Sequence, residues 1–226
     1  MDVYLEVGKK RVFVGALAWP GWCRSGKEEA KALETLLAYA PRYGQAIASA
    51  GLGFAPPETV EAFKVVELLQ GNAGTDFGAP SIAPAEDDRP VSAAELGELQ
   101  ALLAAAWETF DRAAAQAEGK VLTTGPRGGG RDREKITEHV LEAELAYLRR
   151  LGGSLKLDKE TTVQERLRQE RAAVQVTLAA AARGEIAEMG PRGGKRWTPR
   201  YFVRRTAWHL LDHAWEIEDR MMVKPL

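Results

Sequence analysis

The sequence has very little cysteine and no excess of charge of either sign. Cys23 is the only cysteine among 226 residues, which excludes an intrachain disulfide. A lone thiol is typical of proteins in a reducing compartment. The formal net charge is −1 at pH 7, so no global positive field attracts nucleic acid or an anionic membrane. We therefore expect a cytoplasmic protein whose partner is not nucleic acid.

The sequence also lacks a long uninterrupted apolar run. Its apolar stretches, such as 101–106, are far too short to cross a bilayer, and its N-terminal residues do not have the pattern of a secretory signal. We expect no membrane partner. Apolar residues still make up 45% of the chain and charged residues 28%, a balance typical of globular proteins. The length favours two modest domains.

Residues 1–70 predict a small α+β domain. Alternating apolar residues on both sides of a glycine-lysine turn indicate a β-hairpin over 1–16, and the turn-rich stretch after it leaves room for one short strand. Helical spacing of alanine and leucine follows over 27–50, interrupted by Pro41. A last strand is expected within 60–68.

Residues 71–91 hold several glycines and prolines and no periodic apolar pattern, which predicts a linker. Beyond the linker, residues 92–226 predict only helices, as an all-α four-helix bundle. Capping-box patterns, glycine stops and a Thr-Pro start delimit these helices as 92–118, 132–151, 162–184 and 198 onward. The predicted fold class is therefore α+β, with a small N-terminal domain followed by the bundle.

The second and fourth bundle helices belong to an internal repeat. The loop Gly-Pro-Arg-Gly-Gly-Gly-Arg at 125–131 precedes one, and Gly-Pro-Arg-Gly-Gly-Lys-Arg at 190–196 precedes the other. Each helix then carries a His-x-x-Glu-x-Glu string, which starts at His139 and at His213. The bundle is therefore predicted to contain two copies of one helical hairpin.

The three histidines of the sequence all lie on these two helices. His209 and His213 are four residues apart and so lie one turn apart on one helix face, while His139 would face them from the other helix. Each borders an apolar arc of its helix. Three neutral imidazoles suit a divalent transition metal such as Zn, Ni, Cu or Fe and leave positions open for water or substrate. We predict a metal site; the alternative is three hydrogen-bonded core histidines.

A carboxylate lies one turn beyond a predicted ligand on each helix. Glu142 follows His139, and Glu216 follows His213. Either could orient an imidazole or act as a catalytic general base beside metal-bound water. The alternative is a solvated helix face with salt bridges. Glu216 could also close the coordination shell, which would make the ion structural.

The strings around the histidines resemble the DinB/YfiT-like superfamily of bacterial four-helix metalloproteins. The resemblance covers about residues 92–222 and is carried by Trp208-His-Leu-Leu-Asp-His-Ala-Trp-Glu-Ile-Glu-Asp-Arg220 with His139-Val-Leu-Glu142 upstream. It implies a divalent metal on the three histidines, an up-down-down-up bundle and often a homodimer. Characterised members use the metal to activate low-molecular-weight thiols for transferase or isomerase chemistry.

A shorter stretch of the N-terminal domain resembles the HicB-like fold. It comprises the strand and Pro-Gly-Trp-Cys turn of 12–23, then Gly26 and the helix start Glu28-Glu-Ala30 with Leu33. HicB-like domains occur in antitoxins and also as small interaction modules attached to other proteins.

Two functions follow from these patterns. The leading hypothesis is an enzyme whose metal lowers the pKa of bound water or of a bound thiol. It would act on a small molecule or a low-molecular-weight thiol, as a thiol S-transferase first and a hydrolase second. The alternative is a non-enzymatic interaction or regulatory module with a structural metal, in which the HicB-like unit docks RNA, a toxin or another chain.

Overall fold

The structure is a computed structural model that describes residues 1–125, 130–158 and 160–222. Within these residues the chain forms one four-stranded sheet and seven α-helices, which confirms the predicted α+β class. Residues 126–129 of the first repeated loop lie outside the described residues. None of the described helices is both long and apolar enough to cross a membrane.

The sheet is built from the hairpin and two further strands, as the sequence predicts. Its strands are β1 (Asp2–Val7), β2 (Val12–Ala16), β3 (Cys23–Gly26) and β4 (Lys64–Gln70), in the order β3-β2-β1-β4. β1 pairs antiparallel with β2 and parallel with β4. A parallel neighbour requires a crossover connection, and the helical stretch between β3 and β4 provides it.

Two helices form this crossover, α1 (Glu29–Ala38) and α2 (Ala40–Ala46). Pro41 separates them in the way the sequence predicts, since it lies in the first turn of α2, where its missing N–H leaves no helical bond unmade. Trp22, which precedes β3, links α1 to the sheet, because its indole N–H donates to the Leu36 carbonyl at 3.0 Å in the core.

The predicted linker has structure of its own. It contains α3 (Ala73–Phe77) and a single 3-10 turn at Ala85–Asp88. Between them, the buried carboxylate of Glu6 accepts hydrogen bonds from the backbone N–H groups of Ser81 at 3.0 Å and Ile82 at 3.1 Å. The segment is therefore tied to the sheet by backbone contacts that its glycine and proline content does not reveal.

Four long helices make up the rest of the chain: α4 (Ala93–Gln116), α5 (Arg133–Leu151), α6 (Val163–Ala182) and α7 (Pro199–Met222). All four were predicted, with ends within a few residues. The predicted capping box is present at the start of α4, where the Ser92 and Glu95 side chains each accept from the other's backbone N–H.

Side-chain pairs define the directions of the long helices. Arg200 and Glu95, at the N-terminal ends of α7 and α4, form a 2.6 Å ion pair, so these two helices run parallel. Arg166 and Glu138 form a second ion pair near the starts of α6 and α5, so these two helices also run parallel to each other. His139 near the start of α5 contacts His213 near the end of α7, so the two pairs run in opposite directions. In chain order the helices run up, down, down and up.

The connection between α5 and α6 is long enough for a parallel pair. Residues 152–162 link the two helices and reach about 36 Å when extended. A helix of the length of α5 is about 28 Å long. The stretch can therefore return to the other end of the bundle without a helical crossover.

The sheet and the long helices share one continuous core. Arg204 of α7 is buried at their boundary, where it pairs with Asp87 at 2.7 Å and donates to the Ala16 and Leu17 carbonyls. Nearby, Trp208 packs against Phe13. These contacts hold α7, which carries two of the three histidines, against the sheet and the 71–91 segment.

Candidate metal centre

The structure brings the three histidines together. His209 and His213 of α7 are 6% and 8% exposed, and His139 of α5 is half-buried opposite them. Their ring centroids are 4.6 to 5.2 Å apart, with interplanar angles of 60° to 84°, so that ring edges rather than faces converge. Among the described residues, this is the one group of three or more His, Cys, Asp or Glu side chains with the spacing of a metal site.

The three histidines are close enough together to hold a metal ion. The Nε2 atoms of His139 and His209 are 3.3 Å apart. Two nitrogens that each bind zinc at about 2.05 Å with a tetrahedral angle are separated by about 3.3 Å. One ligand nitrogen from each of the three histidines lies within 4.8 Å of the others. The cluster therefore has the size of a coordination sphere in which the histidines supply three nitrogen ligands.

Burial keeps two of these imidazoles neutral. It lowers the pKa of His139 to about 4, and the electrostatic effects of the neighbouring His213 and Arg131 act in the same direction. For His209 burial again has the largest effect and holds the pKa well below 6.5, helped by His213 and Arg205. A metal binds the unprotonated imidazole, so His139 and His209 can each offer a ring nitrogen as a ligand at neutral pH.

A chain of hydrogen bonds orients His213. Its Nδ1 lies 2.9 Å from Oε2 of Glu216. A carboxylate only accepts, so Nδ1 carries the proton and Nε2 is left as the ligand atom. The other oxygen of Glu216 accepts from Arg220 at 2.9 Å, and Arg220 is itself fixed by the Thr123 carbonyl at 2.6 Å. The hydrogen bond from His213 lowers the pKa of Glu216, with Arg220 adding to the effect.

The two predicted carboxylates have different positions. Glu216 lies at the site, where one of its oxygens contacts His213 and the other accepts from Arg220. Glu142 is exposed and does not line the cleft that holds the histidines. The difference arises because α7 is buried on most sides, whereas the face of α5 beyond His139 turns towards solvent. General-base roles for either residue stay predictions.

The histidines open into a cleft of about 450 Å³. One wall is formed by Phe77, Gly78 and Ala79 at the end of α3, so the predicted linker contributes to the site. The Phe77 side chain is 77% exposed. The remaining lining residues are Arg131, which precedes α5, and residues of α5 and α7: His139, Ala143, Tyr147, Arg205, Trp208, His209, Asp212, His213 and Glu216.

The cysteine is not part of the site. Cys23 is buried in the sheet against Phe13 and Trp208, and burial raises the pKa of its thiol to about 12. Cys23 provides no thiolate that could ligate an ion or attack a substrate.

Two residues at the site, Arg205 and Arg220, were not predicted from the sequence, although helical spacing could have revealed them. Arg205 lies four residues before His209, and Arg220 lies four residues after Glu216, so each is one turn from a site residue on the same helix. The wall at 77–79 left no comparable signal, because only the fold brings it to α7.

No family model, curated protein or solved structure matches the chain.

Proposed function

We propose that this protein is a metal-dependent enzyme that holds one divalent transition metal, Zn, Ni or Fe, through His139, His209 and His213. The observation that carries the proposal is the 3.3 Å separation of two imidazole Nε2 atoms at the base of an open cleft. Neutral imidazoles in this arrangement suit these ions better than they suit calcium or magnesium, which prefer oxygen ligands.

Two features support placing the helical part with the DinB/YfiT-like proteins. The four long helices run up, down, down and up, as that resemblance implies. One ligand comes from the second long helix and two, four residues apart, come from the fourth. The N-terminal unit is proposed as HicB-like on a smaller basis, namely a hairpin, a short strand that begins at Cys23 and a helix that begins at Glu29.

The proposed chemistry is activation of a nucleophile. A bound divalent ion lowers the pKa of a water or thiol that it holds. Glu216 and Arg220 keep the His213 ring in place, and Tyr147 packs edge-on against His209 at 5.7 Å between ring centroids. Since both Glu216 oxygens are engaged, three protein ligands leave positions open for substrate. We propose transfer to or from a low-molecular-weight thiol as the reaction, with hydrolysis of a small molecule second.

Metal content and a spectroscopic titration test this proposal. Purified wild-type protein should carry about one transition metal per chain, and His213→Ala should lose it. Cys23→Ala is the matched control, since its buried thiol lies in the sheet and should leave the metal content unchanged. In cobalt-substituted protein, addition of a small thiol or azide should change the visible spectrum, because an open ion binds such ligands directly.

Two results would contradict the proposal. Wild-type metal content in His213→Ala would show that the histidines do not form the site. A cobalt spectrum that neither thiol nor azide changes would show a closed, structural ion, and the interaction-module function would then replace the enzymatic one.

A further inference from the structure

Arg205 is a cation without an acidic partner in the wall of the metal cleft. Within the described part of the chain it forms no hydrogen bond or ion pair, and its Nη1 is buried. Two other arginines close to the cleft are paired, Arg24 with Asp212 at 3.2 Å and Arg220 with Glu216 at 2.9 Å. Arg131 also lines the cleft, but its side chain is exposed to solvent, unlike the partly buried Arg205. A buried guanidinium nitrogen without a partner is costly. Nη1 is the only nitrogen of Arg205 that is both buried and unpartnered, so the other guanidinium nitrogens of this cleft-lining residue are the ones that an acceptor in the cleft would meet.

The guanidinium of Arg205 is held in place by aromatic rings. Its Cζ lies 4.6 Å from the ring centroid of Trp208 and 5.2 Å from that of Tyr147. Stacking of this kind restrains the planar group before a ligand arrives, so less side-chain entropy is lost on binding. The contacts thus leave the charge fixed and its donors available.

Arg205 and the metal ligands share one face of α7. Arg205, His209 and His213 follow one another at intervals of four residues, and each step of four residues advances about 6 Å along a helix. Both Arg205 and His209 contact the Tyr147 ring. A ligand on the metal would therefore extend to the Arg205 guanidinium over a distance of a few bonds.

The chemistry of the cleft favours a carboxylate. A guanidinium presents two parallel N–H donors that match the two oxygens of a carboxylate. The walls beside it include the apolar groups of Phe77, Ala79 and Ala143, which suit an organic body more than a free inorganic ion.

We propose that Arg205 anchors the carboxylate of an organic acid whose reactive group reaches the metal about one helical turn away. The inference rests on the proposed metal function and specifies its substrate class.

Two probes that differ only in charge test this inference. 3-Mercaptopropionate and its neutral amide carry the same thiol, and their dissociation constants are measured by visible titration of the cobalt protein. Wild-type protein should bind the acid at least about tenfold more tightly, as expected for a hydrogen-bonded charge pair. Arg205→Gln should bind both probes equally. Arg149→Gln, which removes an exposed charge at the end of α5, should keep the wild-type preference.

A second variant keeps the inference testable if Arg205→Gln fails to fold. Arg205→Lys keeps a charge but not the paired donors, so it should retain only part of the preference. Equal binding of the two probes by wild-type cobalt protein would overturn the carboxylate inference and leave the metal site standing. Displacement of the acid by inorganic phosphate at a similar concentration would overturn the choice of carboxylate.

Failure of cobalt to bind would instead refute the proposed function, and the role of Arg205 is then decided on metal-free protein. In an NMR titration, propionate should shift the indole N–H of Trp208 and propionamide should not, and Arg205→Gln should abolish the difference. Absence of a shift with propionate in wild-type protein would overturn the inference.

Discussion

Removal of the Glu216 carboxylate should weaken metal binding without destroying the site. Glu216 accepts the Nδ1 proton of His213 at 2.9 Å, so it fixes both the tautomer and the ring orientation of a ligand. Loss of such a supporting carboxylate typically lowers metal affinity by about 10- to 100-fold, or roughly 1.4 to 2.7 kcal/mol. Glu216→Ala should fall in this range, and Glu216→Gln, whose amide oxygen still accepts a hydrogen bond, should lose less.

The internal repeat supplies a matched control. Glu142 occupies the same place after His139 as Glu216 does after His213, but its side chain is exposed and does not line the cleft. Glu142→Ala should therefore keep wild-type affinity. Competition with a coloured chelator measures the dissociation constants, and circular dichroism checks that each variant folds.

Particular outcomes would refute this reasoning. Equal losses in the two alanine variants would show that the hydrogen bond to His213 has no special role. Complete loss of zinc in Glu216→Gln, with retained fold, would show that Glu216 is a direct ligand.

Three further predictions concern stability and pH. Asp87→Ala leaves the buried Arg204 charge without its carboxylate and should reduce the free energy of unfolding by about 3 to 5 kcal/mol in urea denaturation. Asp88→Ala breaks only an exposed ion pair and should reduce it by less than about 1 kcal/mol. Similar losses in the two variants would contradict the assigned role of the buried pair. Burial holds the pKa of His139 at about 4 and also lowers the pKa of His209, so neither imidazole has to lose a proton to bind metal at about pH 5.5. The plot of log metal affinity against pH should therefore have a slope of at most about one at this pH, whereas three imidazoles with ordinary pKa values would give a slope approaching three. Burial raises the pKa of Glu170 from 4.5 to about 9, so the folded state binds this proton more tightly than the unfolded state, and the protein should lose stability as pH rises between these two values. Glu170→Gln should reduce that loss, measured from denaturation curves at pH 5 and pH 8. An unchanged pH dependence in this variant would argue against the raised pKa of Glu170.

Local patterns were sufficient for the elements and for the choice of the three histidines that the structure brings together. Hairpin alternation, Pro41 and the capping residues act over a few neighbouring positions, so they could be recognised without knowledge of the fold. His209 and His213 share a helix face by their spacing alone. The pairing of His139 with them was predicted because a sequence repeat made the two helices comparable.

The different positions of Glu142 and Glu216 could not be read from that repeat. The two strings are alike in sequence, but α7 packs against the sheet as well as against the other long helices, and the outer face of α5 meets solvent. Burial depends on which elements surround a helix, and this information is not contained in the helix itself. The same reason applies to Arg205, whose lack of an acidic partner among the described residues is a property of the assembled cleft.

By itself the sequence determined the α+β class, the order of the elements and the three imidazoles, since these depend on composition and short-range spacing. Only the tertiary structure decided that the 71–91 segment forms a wall of the cleft, that Asp87 and Arg204 form a buried pair, and that the guanidinium of Arg205 lies beside the histidines. Each of these features joins residues far apart in the chain. Contacts of that kind depend on how the elements pack together, and no local pattern encodes them.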